Sequence, residues 1–286
     1  MLVMWLWFYV IERRSALSNA MDIRTYLFEP LVGAPFVAEI SAVEPGLLCG
    51  TEHARSRAAE LGLNLESVAP EGAFLHSGSP VLRLIGCAED IARGEEELLA
   101  CVGKASGVAT AASKLLAQAN GKVRIVCGAW KKVAPELRKD LRHAIAVGGA
   151  GIRLLDQPFV YLDKNYVRMF GSVKRAVERA RGIDGRIVAV QVRGDTNLVA
   201  EEANQALNGG AGVLMVDTGN IADIQIVMSV VNHRGFRNNV KIAFAGGVNS
   251  SCLDDVISAG ADIVEVGRAI IDASILDFRF DVVGRV

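Results

Sequence analysis

The chain has 286 residues, 51% of them hydrophobic and 6% aromatic, and 31 Lys plus Arg against 32 Asp plus Glu leave a net charge of −1. Disorder needs low hydrophobicity with high net charge, and a general nucleic-acid binder carries a basic excess; both classes are excluded. The length allows one large or two ordinary domains, and the wealth of small aliphatic residues and glycine favours α/β packing over a sandwich or lectin-like surface.

Leu2 to Ile11 is an unbroken apolar run followed by Glu12-Arg13-Arg14. Ten residues fall short of the roughly 20 that a membrane helix needs. A signal peptide carries its positive charge before the apolar run, not after it. Ser18-Asn19-Ala20 before Met21 looks like the remnant of a cleaved tag. Residues 1–20 are therefore read as a non-native extension, with a membrane-peripheral anchor as the alternative. No targeting motif stands out, so the default location is the cytoplasm, with no nucleic acid and no membrane as partners.

Further along, Phe36 to Val43 alternates like a half-buried strand, and Glu44-Pro45-Gly46 is a turn. Thr51 to Gly62 has helical periodicity. Val68 to His76 and Val81 to Ile85 read as strands on either side of the turn Ser77-Gly78-Ser79-Pro80. Glu89 to Asn120 reads as a long Ala-rich helix interrupted near Ser106-Gly107. From Lys122 the rhythm changes. Strands are expected at Val123–Cys127, Phe159–Leu162, Ile187–Val192, Gly212–Asp217, Val240–Ala245 and Ile263–Val266. Helices are expected near Pro135–Val147, Ser172–Arg181, Leu198–Leu207, Ile221–Val231 and Ser251–Ala259. Alternation of this kind means a parallel α/β domain, either a barrel or an open doubly wound sheet. Polar residues at strand ends (Asp163, Gln191, Asp217) and glycine-rich late turns favour the barrel. The tail from Asp277 to Val286 alternates like a strand and is expected to return to the first domain.

The turn Ala245-Gly246-Gly247-Val248-Asn249, together with Gly267, carries the strongest chemical signal. Bare backbone N–H groups can approach phosphate oxygens closely, and late barrel loops are where phosphates bind. The competing reading is two ordinary strand-to-helix turns that need positive φ. Lys131, Lys132, Arg138, Arg153 and Lys164 could form a cationic pocket for an anionic substrate; each alone is ordinary surface charge. Asp217 could hold Mg²⁺ or a ribose hydroxyl, or simply cap a helix. The five cysteines show no metal-ligand spacing and read as core filler. His143 falls inside a helix and reads as structural.

In this order the residues resemble a family. The strings are Lys104–Thr110 (KASGVAT), Trp130–Arg138 (WKKVAPELR), Gly148-Gly149, Arg153, Asp163-Lys164-Asn165, Met215-Val216-Asp217, Ala245-Gly246-Gly247 and Val266-Gly267. Together they resemble quinolinate phosphoribosyltransferase, from about residue 36 to the C-terminus. The resemblance implies an α+β open sandwich domain (residues 21–121 plus 275–286) and an incomplete six-stranded α/β barrel (122–274). It implies a homodimer in which one subunit's small domain caps the partner's barrel. It also implies a reaction. Phosphoribosyl pyrophosphate, with Mg²⁺, loses diphosphate through an oxocarbenium-like state, quinolinate attacks, and its 2-carboxylate leaves as CO₂. Nicotinate mononucleotide, a precursor of NAD, results.

Residue by residue, the resemblance implies phosphate contacts at Ala245, Gly246, Gly247, Asn249 and Gly267, and a metal or ribose acid at Asp217. It implies substrate contacts at Lys131, Lys132, Arg138, Arg153, Lys164 and Gln191, with Lys132 and Asp217 the candidate catalytic pair. Lys131 stands where the family has Arg, Ile152 where it has His, and Gln191 or Arg193 where it has Glu. Glu96 stands where a partner-subunit Arg is expected, unless Arg93 serves instead. These departures gather on the side of the pyridine dicarboxylate. They leave open a different anionic acceptor, or a phosphosugar-binding relative without turnover.

Overall fold

The computed structural model describes residues 22–286, so the extension read at 1–20 lies outside the described residues. After α1 (Ile23–Leu27), the small domain runs β1 (Phe36–Ala42), β2 (Gly46–Leu47), α2 (Thr51–Glu60), β3 (Asn64–Val68), β4 (Phe74–Leu75) and β5 (Pro80–Gly86). Its antiparallel sheet places β1 between β5 and a C-terminal strand, Phe278–Arg285, with β3 on the far side of β5. The tail thus returns to the first domain. Ala38, Ile40 and Ala42 project from one face of β1 into a core with Leu82, Leu84, Leu98 and Val102.

Two expectations are corrected here. No single strand spans Val68–His76: β3 ends at Val68, the chain turns through Pro70 and Gly72, and only Phe74–Leu75 pairs again, with β2. Gly72 has φ +77°, and proline offers no ladder donor. The long helix α3 (Ala88–Ala119) is not interrupted at Ser106-Gly107. Those residues serve close packing instead. A Cβ on Gly107 would lie 1.9 Å from the Ser274 carbonyl oxygen. Ser106 Oγ accepts the Cys49 backbone N–H at 2.9 Å.

The second domain continues with β6 (Arg124–Val126), α4 (Arg138–Val147), β7 (Phe159–Leu162), α5 (Lys164–Phe170), α6 (Val173–Arg181) and β8 (Ile187–Val192). Then come α7 (Val199–Gly209), β9 (Val213–Val216), α8 (Ile221–His233), β10 (Lys241–Phe244), α9 (Leu253–Ser258), β11 (Ile263–Glu265), α10 (Arg268–Ile271) and finally β12, the strand 278–285. The parallel order β6-β11-β10-β9-β8-β7 makes a six-stranded incomplete barrel.

Strand parity decides what faces where. Val190, Val192, Leu214, Val216, Ile242, Phe244, Val264 and Val266 belong to the core between sheet and helices. The alternate residues Val126, Ala189, Val213, Met215, Ala243 and Ile263 form a separate cluster inside the barrel, packed with Phe159, Tyr161 and Ile187. Two residues further along each strand, the same inward parity reaches Gly128, Asp163, Gln191, Asp217, Ala245 and Glu265. The strand alternation therefore aims these six positions at the mouth. All five cysteines are free thiols. No helix among the described residues is long and apolar enough to cross a membrane.

Candidate active site

At the C-terminal ends of the strands lies a cavity of about 1180 Å³, and all six of those positions line it. So do Lys131, Lys132, Arg153, Gly246, Gly247, Asn249 and Gly267, which the sequence had singled out. The cavity is thus lined by cations, Lys131, Lys132 and Arg153 among them, and by the carboxylates Asp163, Asp217 and Glu265.

Asp217 does not cap a helix. The cap of α8 is Asn220, whose side chain accepts the Ala222 N–H at 3.2 Å. Asp217 instead ends β9 facing the cavity. Its Oδ2 accepts Gln191 Nε2 at 2.8 Å and Arg193 Nη1 at 2.7 Å. Arg193 also donates to the Asp217 carbonyl. Gln191 is oriented in turn by the Lys164 backbone N–H, which donates to its Oε1 at 2.6 Å. Oδ1 of Asp217 accepts no hydrogen bond among the described residues.

Two of the expected contacts lie outside the cavity lining. Lys164 is one residue past the inward-facing Asp163, so the helix turns its side chain elsewhere, and only its backbone enters the network. Arg138 folds back on the loop before it, donating to the carbonyls of Val133 and Lys131 at 3.1 Å each. It shapes the lysine loop rather than facing the cavity. Glu96, on the exposed side of α3, accepts Arg24 Nη2 at 2.5 Å, and Arg93 pairs with Asp22 and Glu89. Neither lines the cavity of its own chain.

The sequence reading passed over the aromatic wall. Trp130, Phe159 and Tyr161 line the cavity with Arg142, Arg268 and Asp272. Trp130 Nε1 donates to the Ile152 carbonyl at 3.1 Å, fixing the indole. The Arg142 guanidinium lies 5.0 Å from its ring centroid and Lys131 Nζ 5.5 Å, while Arg153 lies 5.3 Å from the Phe159 ring. Cations at these distances over aromatic faces are held by the ring quadrupole.

It also passed over Glu265. Burial raises its pKa above the usual carboxylate value, and the negative charge of Asp217 adds to this, while Lys131 and Lys132 partly offset it. The folded pKa exceeds the unfolded one, so ionising Glu265 costs stability as pH rises from about 4.5 through the folded value. Glu265→Gln is expected to melt higher than the parent at neutral pH. The difference should vanish below pH 4, which thermal scans across pH will check.

The turn 245–249 is built on glycine. Gly246 has φ +117° and Gly247 φ +86°. A Cβ on Gly246 would lie 2.5 Å from the Gly219 nitrogen, whereas nothing lies within 4 Å of one on Gly247. Gly267 differs, with φ −90°. Asn249 spends its side-chain oxygen on Ser251, accepting its N–H at 2.8 Å and its hydroxyl at 2.6 Å.

Arg193 owes its position to Glu202, which is 1% exposed. This carboxylate accepts the N–H groups of Arg193, Gly194 and Thr196 and the Thr196 hydroxyl, each at 2.8 Å. Glu202→Ala leaves those donors unpaired and is expected to cost about 3 kcal/mol. Urea unfolding should show a lower midpoint at unchanged slope.

Comparison with known proteins bears on this site. A family model described as "Quinolinate phosphoribosyl transferase, C-terminal domain" matches residues 108–281, and its N-terminal counterpart matches 22–106. The chain is 28% identical over 272 residues to "Nicotinate-nucleotide pyrophosphorylase [carboxylating]" of Rattus norvegicus, covering 92% of this chain and 89% of the relative. To the human protein of that name it is 26% identical over 247 residues, covering 85% and 81%. Among solved structures, the nicotinate-nucleotide pyrophosphorylase from Francisella tularensis superposes with TM-score 0.76 at 23% identity, covering 94% of each chain. That from Pyrococcus furiosus gives 0.78 at 22% identity, covering 91% of this chain and 72% of the other. These structures share the fold, and the family models span nearly all of the described residues: the chain belongs to the quinolinate phosphoribosyl transferase family.

Proposed function

We propose that this chain transfers the phosphoribosyl group of phosphoribosyl pyrophosphate to quinolinate, giving nicotinate mononucleotide, CO₂ and diphosphate for NAD synthesis. One observation carries the reading. In a chain of this family, a glycine turn, the aspartate that follows β9, and lysine and arginine side chains line one cavity.

In this reading the backbone N–H groups of the turn 245–249, with Gly267, receive the 5′-phosphate. Lys131 and Lys132 offset the diphosphate charge that grows as the C1–O bond breaks. Asp217, held in place by Gln191 and Arg193, takes a ribose hydroxyl and faces the positive charge developing at C1. The acceptor ring lies against the aromatic wall, with Arg153 and the lysines toward its carboxylates. Its nitrogen attacks C1. The C2–carboxylate bond then breaks and CO₂ leaves, its electron pair staying on C2 as an ylide stabilised by the adjacent pyridinium nitrogen, and a proton from solvent adds to C2.

Mg²⁺ belongs to the same proposal. It binds through one or two carboxylates together with substrate phosphates. The free Oδ1 of Asp217 meets that small demand, although Arg193 already offsets part of the charge. When bound, the ion would supply further charge compensation to the diphosphate. A homodimer whose partner domain caps the open cavity, and a cytoplasmic location, complete the reading; sedimentation velocity tests the former.

Glu265 favours a second reading. A half-buried carboxylate near Tyr161 repels a dicarboxylate and suits an acceptor with fewer acid groups or an N–H donor. Diphosphate release with quinolinate, and none with monocarboxylate pyridines, supports the first reading; the reverse supports the second.

A further inference from the structure

Away from the cavity, a second cluster lies where the small domain meets α4. Cys49 Sγ, a Glu71 carboxylate oxygen and a ring nitrogen of His143 all lie within 4.8 Å of one another. They come from three segments remote in sequence, two in the small domain and one in the barrel domain. The chemistry proposed for the cavity uses none of them.

Glu71 is held rigidly. Its carboxylate accepts the Gly50 N–H at 3.0 Å, the Thr51 N–H at 2.9 Å and the Thr51 hydroxyl at 2.5 Å. Burial opposes its ionisation, but these bonds and His143 outweigh it and bring the pKa down to about 2. His143 Nε2 lies 2.8 Å from Glu71 Oε1. The Cys49 thiol sits against the same carboxylate and is fully buried, which pushes its pKa up. A thiol and an imidazole therefore converge on one anionic carboxylate. A divalent ion would replace the thiol proton and take the imidazole as a neutral ligand.

We propose that Cys49, Glu71 and His143 form a binding site for one Zn²⁺-class transition-metal ion. A thiolate, an imidazole nitrogen and a carboxylate oxygen are the donor set zinc takes, whereas Mg²⁺ and Ca²⁺ demand oxygen. On binding, the thiol proton leaves to solvent, and the neutral His143 ring carries its proton on Nδ1, so that Nε2 changes from a partner of Glu71 to a ligand. Thiolate and carboxylate together cancel the charge of the ion. His143 is 56% exposed, which leaves a path for entry and a fourth position for water. Asp140, three residues before His143, lies 3.7 Å from His53, so a further carboxylate stands near the site. The ion would tie the small domain to α4, whose Arg142 stacks on Trp130 in the cavity.

The test needs no substrate. The full chain, stripped with chelator, is titrated with Co²⁺. One equivalent should bind, with a thiolate-to-cobalt charge-transfer band and the intense visible bands of a four-coordinate ion. Zn²⁺ should displace it and raise the Tm. Cys49→Ser should remove the charge-transfer band. His143→Ala, at an exposed position, should weaken Co²⁺ binding by more than about tenfold with an unchanged circular dichroism spectrum. No charge-transfer band in excess Co²⁺, or a band that survives Cys49→Ser, overturns the proposal. So does a Zn²⁺ stabilisation undiminished in His143→Ala. Should Cys49→Ser fail to fold, His143→Ala and Glu71→Gln decide the matter.

Discussion

Gly246→Ala is expected to raise the Kd for phosphoribosyl pyrophosphate by more than about 100-fold and to cost about 2–4 kcal/mol of stability. The reason is steric and local. Gly246 sits at φ +117°, where a side chain is strained whatever the space around it. Its new Cβ would lie 2.5 Å from the Gly219 nitrogen and 2.6 Å from the Gly219 Cα. Those are backbone atoms and cannot rotate aside. The turn 245–249 must lift away from Thr218-Gly219, and the Gly219 N–H bond to the Ala245 carbonyl, 3.3 Å long, is lost with it. The N–H groups proposed to receive the phosphate then move by a good fraction of an ångström. Gly247→Ala provides the control. It too has positive φ, but its Cβ projects into open space. It should cost only about 1 kcal/mol of stability. Titration calorimetry and urea unfolding separate the two effects.

Asp217→Asn is expected to lower kcat by about 10²–10³-fold while leaving the Kd for phosphoribosyl pyrophosphate within a few-fold of the parent. The amide keeps the size of the side chain and one acceptor oxygen for Gln191 and Arg193. What it removes is the negative charge proposed to face C1 as the oxocarbenium-like state forms. Asp217→Ala should do more harm. It removes the nearer of two carboxylates paired with the Arg193 guanidinium, at 2.7 Å, and leaves Asp195 at 3.6 Å. The expected cost is about 1–2 kcal/mol of stability in addition to the kinetic loss. Single-turnover kinetics on both variants, with melting curves, distinguish charge from scaffold.

Much of the barrel is legible in the residues because period-2 and period-3.6 patterns alternate cleanly from Lys122 onward. Phe159–Leu162 and Ile187–Val192 form strands at the bounds the pattern predicts. The site is legible in part, and parity explains which part. Gln191, Asp217 and Ala245 share the inward register of Ala189, Met215 and Ala243, so their side of the sheet follows from counting by two. The same count reaches Tyr161 and Glu265, which the reading missed because it sought cations and glycine turns. Lys164 matches the lysine the resemblance implies only one place along the chain, and it sits one step off the register that Asp163 occupies. Arg138 could not be excluded from sequence, since its partners are carbonyls of the preceding loop. The uninterrupted α3 escaped for a related reason: Gly107 reads as a helix breaker, but it is where the Ser274 carbonyl packs against the helix. The Cys49–Glu71–His143 cluster was equally hidden, because its spacing in the chain is long and only the meeting of two domains brings it together.

The proposed reaction joins phosphoribosyl pyrophosphate to quinolinate in this cavity and releases the 2-carboxylate. Its most direct test is the stoichiometry of products from quinolinate labelled with ¹³C in that carboxylate, incubated with Mg²⁺ and phosphoribosyl pyrophosphate. Labelled CO₂, diphosphate and nicotinate mononucleotide are expected in equal amounts. Diphosphate released without labelled CO₂, or neither product at millimolar quinolinate, would contradict it.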